Sequence, residues 1–121
     1  MRFKQGKRSD LSHNCRSAWE ANYARYLKFL ISKGQIQGYE YEAEEFWFPV
    51  KRGTRSYLPD FKVTLPSGQV EYHEVKGYMD AVSKTKLKRM AKYHPHIKIV
   101  VIGKAEYNAI KKWSSLIENW E

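Results

Sequence analysis

Hydrophobic and polar positions follow two different periods along this chain, and each change of period marks an element. Trp19, Tyr23, Tyr26, Leu27 and Leu30 recur at spacings of three and four, which is one apolar stripe of a helix. Ser17-Ala18-Trp19-Glu20 carries the capping-box pattern at its start, and Gly34 suits the residue just past its end. From Gly38 to Lys51 the period shortens to two and predicts a first long strand. Tyr39, Tyr41, Ala43 and Glu45 share one parity, and Glu40, Glu42, Glu44 and Phe46 share the other. The pattern shifts at Phe46-Trp47-Phe48, which predicts a bulge that turns the strand. Lys51-Arg52-Gly53-Thr54 then predicts a hairpin turn into the next strand.

The segment from Tyr57 to Gly77 holds two alternating runs around Pro66-Ser67-Gly68. A three-residue hairpin loop takes Pro first and Gly last, where the backbone is left-handed. That loop pairs Leu65 with Gln69, sets Asp60 opposite Glu74 and sets Leu58 opposite Lys76. Side chains alternate along a strand, so Asp60, Glu74 and Lys76 leave one face while Phe61, Val63, Leu65 and Val75 leave the other, the core face. Two carboxylates directly across a ladder repel each other. A divalent cation between them removes the objection, because Mg²⁺ prefers one or two carboxylates completed by waters and phosphate oxygens. Lys76 would then sit beside the ion, placed to orient a water or to stabilise charge on a phosphoryl oxygen. The plain alternative is a pair of surface carboxylates with Lys76 as a salt-bridge partner.

Pro59-Asp60, followed fourteen residues later across a hairpin by Glu74-Val75-Lys76 and then Gly77, resembles the PD-(D/E)XK nuclease superfamily. The resemblance implies a metal-dependent DNA endonuclease in which Asp60 and Glu74 hold Mg²⁺, with Mn²⁺ as a substitute, and Lys76 acts on the nucleophile or the transition state. Several members, including those of the phage endonuclease I type and the transposon end-cleaving type, carry a metal-assisting Glu on the helix before the core strands. Glu20 matches that position. Read from the residues alone, Glu20 serves equally well as the reciprocal partner in the capping box.

After Gly77, Asp80 or Ser83 caps a second helix that ends before His94-Pro95, since Pro disfavours helical geometry in the residue before it. Val82, Leu87, Met90 and Ala91 supply its apolar side. Lys84, Lys86, Lys88, Arg89 and Lys92 crowd the same helix, either as a solvated face or as a track for DNA phosphates. Arg52 and Arg55, on the preceding turn, are further candidates for the DNA backbone. Ile97 to Ile102 is a nearly continuous apolar run, as in a buried central strand, reached from the third strand by a right-handed crossover to a parallel partner. Tyr107, Ile110, Trp113, Leu116, Ile117 and Trp120 form the stripe of a last helix. The order is helix, three antiparallel strands, helix, strand, helix. This is an α/β (α+β) chain with a mixed central sheet flanked by helices, and the order agrees with the restriction-endonuclease-like core that the resemblance implies.

Composition narrows the partners. A chain of 121 residues holds one core, read as a single nuclease domain over residues 10–121 after a mobile basic arm over 1–9 that carries Arg2, Lys4, Lys7 and Arg8. Lys and Arg number 22 against 13 acids, a net charge of +9, which favours a polyanionic partner such as DNA. No run reaches a membrane span and no apolar leader opens the chain, so the expected location is the cytoplasm of a bacterial cell. The single Cys15 excludes an internal disulfide framework, and the four histidines lack the spacing of a structural zinc site. Walker loop and nucleophile elbow are both missing, and no organic cofactor is expected. With no separate sequence-reading module, the expected substrate is branched or nicked DNA of recombination and repair, as with phage-encoded junction resolvases. Cutting both strands of a junction would favour a homodimer. The competing classes are a nonenzymatic nucleic-acid-binding subunit that retains the core, a sequence-directed or transposon-type endonuclease, and a ribonuclease.

Overall fold

The central hairpin closes in the register its loop dictates. Leu65 N–H donates to Gln69 O at 2.8 Å, Gly68 N–H donates to Leu65 O at 2.9 Å, and Gly68 takes the left-handed φ of +90°. The computed structural model describes residues 5–50 and 53–121. In chain order these form β1 (Gly6–Lys7), β2 (Asn14–Cys15), α1 (Ala18–Ser32), β3 (Gly38–Tyr41), β4 (Phe46–Trp47), β5 (Ser56–Tyr57), β6 (Phe61–Thr64), β7 (Val70–Val75), α2 (Ala81–Tyr93), β8 (Ile99–Ile102) and α3 (Lys104–Lys111). The main sheet has the order β3-β6-β7-β8, with the first two pairings antiparallel and the last parallel. Phe61 pairs with His73 and Val63 with Glu71, which continues the register set at the loop. The architecture is therefore mixed α+β, with the parallel β8 reached through α2 as expected.

Helices cover both faces of the sheet. Phe61, Val63, Val75 and Ile102 pack under Ala21, Tyr23, Ala24 and Leu27 of α1 and Tyr107 of α3. Trp19 stacks on Tyr107 with ring centroids 4.0 Å apart, fastening α1 to α3. On the other face Tyr72 packs with Met90 of α2 and with Phe46, Phe48 and Tyr57 of the β4–β5 hairpin. Both long helices begin where their caps foretold: Ser17 Oγ accepts from Glu20 N–H at 3.1 Å, and Asp80 Oδ1 accepts from Ser83 N–H at 2.8 Å. Gly34 closes α1 at φ +71°, and the next N–H, that of Gln35, reaches back to Leu30 O.

Four expectations change. The long strand over 38–51 is broken: β3 stops at Tyr41, Glu42 turns the chain with a φ of +46°, and β4 pairs separately with β5. The apolar run at 97–102 forms an edge strand, half-buried over most of its length, because β7 is its single partner among the described residues. The last helix ends at Lys111, where Ser114 and Ser115 are weak helix formers, and Trp113 and Leu116 are exposed. Part of the basic arm is fixed to the domain: Gly6–Lys7 pair with Asn14–Cys15, and Arg8 bridges to Glu121 at 2.9 Å. Arg2 and Lys4 of that arm, like Lys51 and Arg52 of the turn, lie outside the described residues.

Candidate active site

The site lies where the β6–β7 ladder stops. Its last pair is Phe61 with His73, and one step further Asp60 and Glu74 face each other. Beyond that point side chains take the place of ladder bonds. Val75 N–H donates to Asp60 Oδ2 at 2.8 Å, and Asp60 N–H donates to Glu74 Oε1 at 3.3 Å. Pro59, fully buried, precedes the acid and supplies no N–H of its own. Tyr57 donates its hydroxyl to the same Glu74 Oε1 at 3.1 Å. Each carboxylate thus has one oxygen fixed by protein donors, while the second has no hydrogen-bond donor among the described residues.

Glu20 arrives from the first turn of α1 and is 5% exposed. Its Oε1 accepts from Arg16 N–H at 3.1 Å and from the Tyr41 hydroxyl. The reciprocal capping role is therefore real, shifted by one residue to the N–H ahead of the cap. Its charge nevertheless reaches the strand acids. Burial, then the charges of Glu74 and Glu20, push the Asp60 carboxyl well above the ordinary aspartate range, against the Val75 N–H and Arg16. Burial also raises Glu74, aided by Glu20 and opposed by the Tyr57 hydroxyl, the Asp60 N–H and Lys76. Acids this close, with Asp60 only 3% exposed, hold negative charge at a cost unless a cation joins them.

The donor set fits a hard divalent ion. Two carboxylates with one open oxygen each match the share of an octahedron that Mg²⁺ takes from protein, leaving the rest to water and phosphate. Among the described residues no three His, Cys, Asp or Glu side chains are grouped closely enough to cage an ion without such outside ligands. A cavity of about 120 Å³ adjoins Glu74 and Lys76; Arg16, Tyr57, Ser83 and Lys86 are its other polar walls, and Leu58, Met79 and Leu87 its apolar ones. Larger hollows, about 350 and 580 Å³ around Asp10 and Lys28 and about 170 Å³ beside Trp19 and Trp120, contain none of these acids.

The basic residues divide. Lys86 joins the cavity wall, whereas Lys84, Lys88 and Lys92 are exposed on α2, and Arg55 is exposed on the β4–β5 loop. Arg89 does not face an open surface. It is 8% exposed, lies over the rings of Phe48 (4.9 Å) and Tyr93 (5.3 Å), and donates to Val50 O. Its guanidinium fastens the hairpin to α2, a placement that cation–π stacking favours. Of the four glutamates between 40 and 45, Glu44 pairs with Lys62 and accepts from Tyr72, Glu45 accepts from Ser56, and Glu40 is exposed. Only Glu42 borders the site, through an ion pair with Arg16. His73 faces away from Glu74, with Nδ1 2.5 Å from the Tyr23 hydroxyl and Nε2 2.9 Å from Glu71 Oε1. Arg16, Tyr41 and Tyr57 are the site residues that sequence reasoning missed. Arg16 stands just before the Ser17 cap, which is the one local signal it carried.

No family model matches the chain, and no curated protein and no solved structure matches it either. Among the described residues no helix is long and apolar enough to cross a membrane.

Proposed function

We propose that this protein is a divalent-metal-dependent DNA endonuclease of the PD-(D/E)XK type, built on a restriction-endonuclease-like core. The observation that carries the reading is the Asp60–Glu74 pair, facing across the open end of a ladder with both carboxyls displaced toward protonation. Asp60 and Glu74 would hold Mg²⁺ or Mn²⁺ through their open oxygens, and Glu20 would add negative potential from α1. The ion would supply Lewis-acid polarisation of the phosphodiester and a water acidified enough to attack at neutral pH. Lys76 borders the same cavity as Glu74, which supports a role for its ammonium in orienting that water or in stabilising charge on a non-bridging oxygen. Tyr57 fixes Oε1 of the Glu74 carboxylate, which leaves the other oxygen to hold the ion when one is bound. Lys84, Lys86, Lys88 and Lys92 offer positive charge to the DNA backbone on the helix that follows.

The substrate favoured by resemblance to small phage nucleases of the endonuclease I type is branched or nicked DNA, cut by a homodimer in recombination or repair. The test is incubation with supercoiled plasmid and with a synthetic four-way junction, in Mg²⁺ and in chelator. Cleavage in Mg²⁺ that stops in chelator is expected, with the junction cut faster than linear duplex. DNA binding without cleavage under any divalent ion would refute the nuclease and leave a nonenzymatic DNA-binding subunit.

A further inference from the structure

Arg16 is tied to the acid cluster at one end and exposed at the other. Its backbone N–H is bound by Glu20 Oε1 at 3.1 Å, while its side chain is 59% exposed and walls the cavity shared with Glu74, Lys76 and Lys86. In the free protein its guanidinium is paired with Glu42. Glu42 stands one residue past β3 with a φ of +46°, a region that non-glycine residues seldom occupy. Its N–H is anchored on Asp60 O at 2.8 Å. The residue that carries the site acid therefore also fixes the carboxylate that neutralises Arg16.

An exposed ion pair of this kind contributes little to stability. The guanidinium fork binds a phosphate as well as a carboxylate, often with two parallel bonds. Three cations, Arg16, Lys76 and Lys86, border the cavity, and Arg16 forms an ion pair with Glu42, an acid that is not part of the strand pair. We propose that Arg16 is a phosphodiester-binding residue of this site, held by Glu42 in the free protein and transferred to a DNA phosphate on docking. Glu42 is then an internal competitor for the phosphate. The assignment rests on the nuclease reading.

The experiment is a salt titration of DNA binding to the full chain, with a labelled four-way junction in Ca²⁺ buffer. It compares wild type, Arg16→Ala, Glu42→Gln, the double variant and, as a control for unspecific loss of negative charge, Glu40→Gln. Arg16→Ala is expected to weaken binding about tenfold and to flatten the plot of log affinity against log salt by about 0.9, one phosphate contact. Glu42→Gln is expected to tighten binding about threefold in the wild-type background and not at all beside Arg16→Ala. If Arg16→Ala lowers the melting temperature, Arg16→Gln, which keeps a polar chain, is read in its place. Unchanged affinity and slope on loss of Arg16 would overturn the assignment, as would equal tightening by Glu42→Gln in both backgrounds. Wild-type protein that cleaves plasmid in Mg²⁺ while Arg16 variants bind normally refutes this inference alone. Wild-type protein that neither binds nor cleaves DNA refutes the nuclease reading and this inference with it.

Discussion

Two clusters of acids lie along α1, and they are built on opposite terms. In one, Asp10 and Glu121 converge on Arg25, at 2.9 Å each, with Arg8 also bound to Glu121 and Asn22 holding the Glu121 backbone. Hydrogen bonds from these guanidinium groups hold both carboxyls below their ordinary range, Glu121 down to about 2. In the other, Asp60, Glu74 and Glu20 share a burial without any ion pair among the described residues, and both strand acids are pushed up. The first cluster is complete as it stands. The second is balanced only by protonation or by a cation from outside, and on the proposed reading that difference separates an acid that fastens a fold from one that does chemistry.

The largest effect on stability is expected in the balanced cluster. Arg25→Ala strands Asp10, leaves Glu121 to Arg8 alone, and should cost about 2–3 kcal/mol, measured by urea denaturation. Its pH dependence has a definite sign. The lowered acids add stability that is present above their unfolded values and is lost as pH falls through their folded ones, so acid should destabilise wild type more than Arg25→Ala.

The unbalanced cluster should respond in the opposite sense. Asp60→Asn keeps an oxygen for Val75 N–H and removes a like charge, so in chelator it should stabilise the protein by roughly 0.5–1 kcal/mol, the scale of cross-strand pairs. The raised strand acids contribute stability that is present at low pH and lost as pH rises through their folded values. The advantage of Asp60→Asn should therefore shrink as pH falls through the raised folded values and be gone once pH reaches the ordinary carboxylate range, where the unfolded chain is protonated as well. Added Mg²⁺ should stabilise wild type and leave Asp60→Asn nearly unmoved. A large loss of apo stability would make Asp60 a structural residue like Asp10.

The smallest effect concerns the exposed cations. Lys84→Ala and Lys88→Ala should each weaken DNA binding a few-fold and reduce the salt slope by about 0.9, whatever the base sequence. Arg89→Ala should show chiefly in the melting temperature, since its guanidinium is spent on Phe48, Tyr93 and Val50. Unchanged slopes in both lysine variants would return this helix face to the solvent.

The pairing of Asp60 with Glu74 was legible because local chemistry determines it: a three-residue loop with Gly68 in left-handed backbone leaves one register. The helix starts at Ser17 and Asp80 were legible for the same reason, as caps are local. The break of the first strand was not, because Glu42 adopts a positive φ that its residue type does not advertise. An apolar run such as 97–102 reads alike at the centre or the edge of a sheet, and only the partner count distinguishes them. Arg89 and Arg16 are a further pair of this kind. Both are arginines, and tertiary placement alone stacks one on aromatic rings and leaves the other on the wall of the cavity beside Glu74.

The most direct measurement is single-turnover cleavage of supercoiled plasmid in Mg²⁺ by wild type, Glu74→Ala and Asp10→Asn, each checked for its melting temperature. Glu74→Ala is expected to lose about a thousandfold or more in rate while it still folds and binds DNA. Asp10→Asn is expected to melt earlier and to cut at close to the wild-type rate below its melting point. Mg²⁺-dependent cleavage by Glu74→Ala at the wild-type rate would contradict the assignment of the unbalanced acids as the catalytic centre.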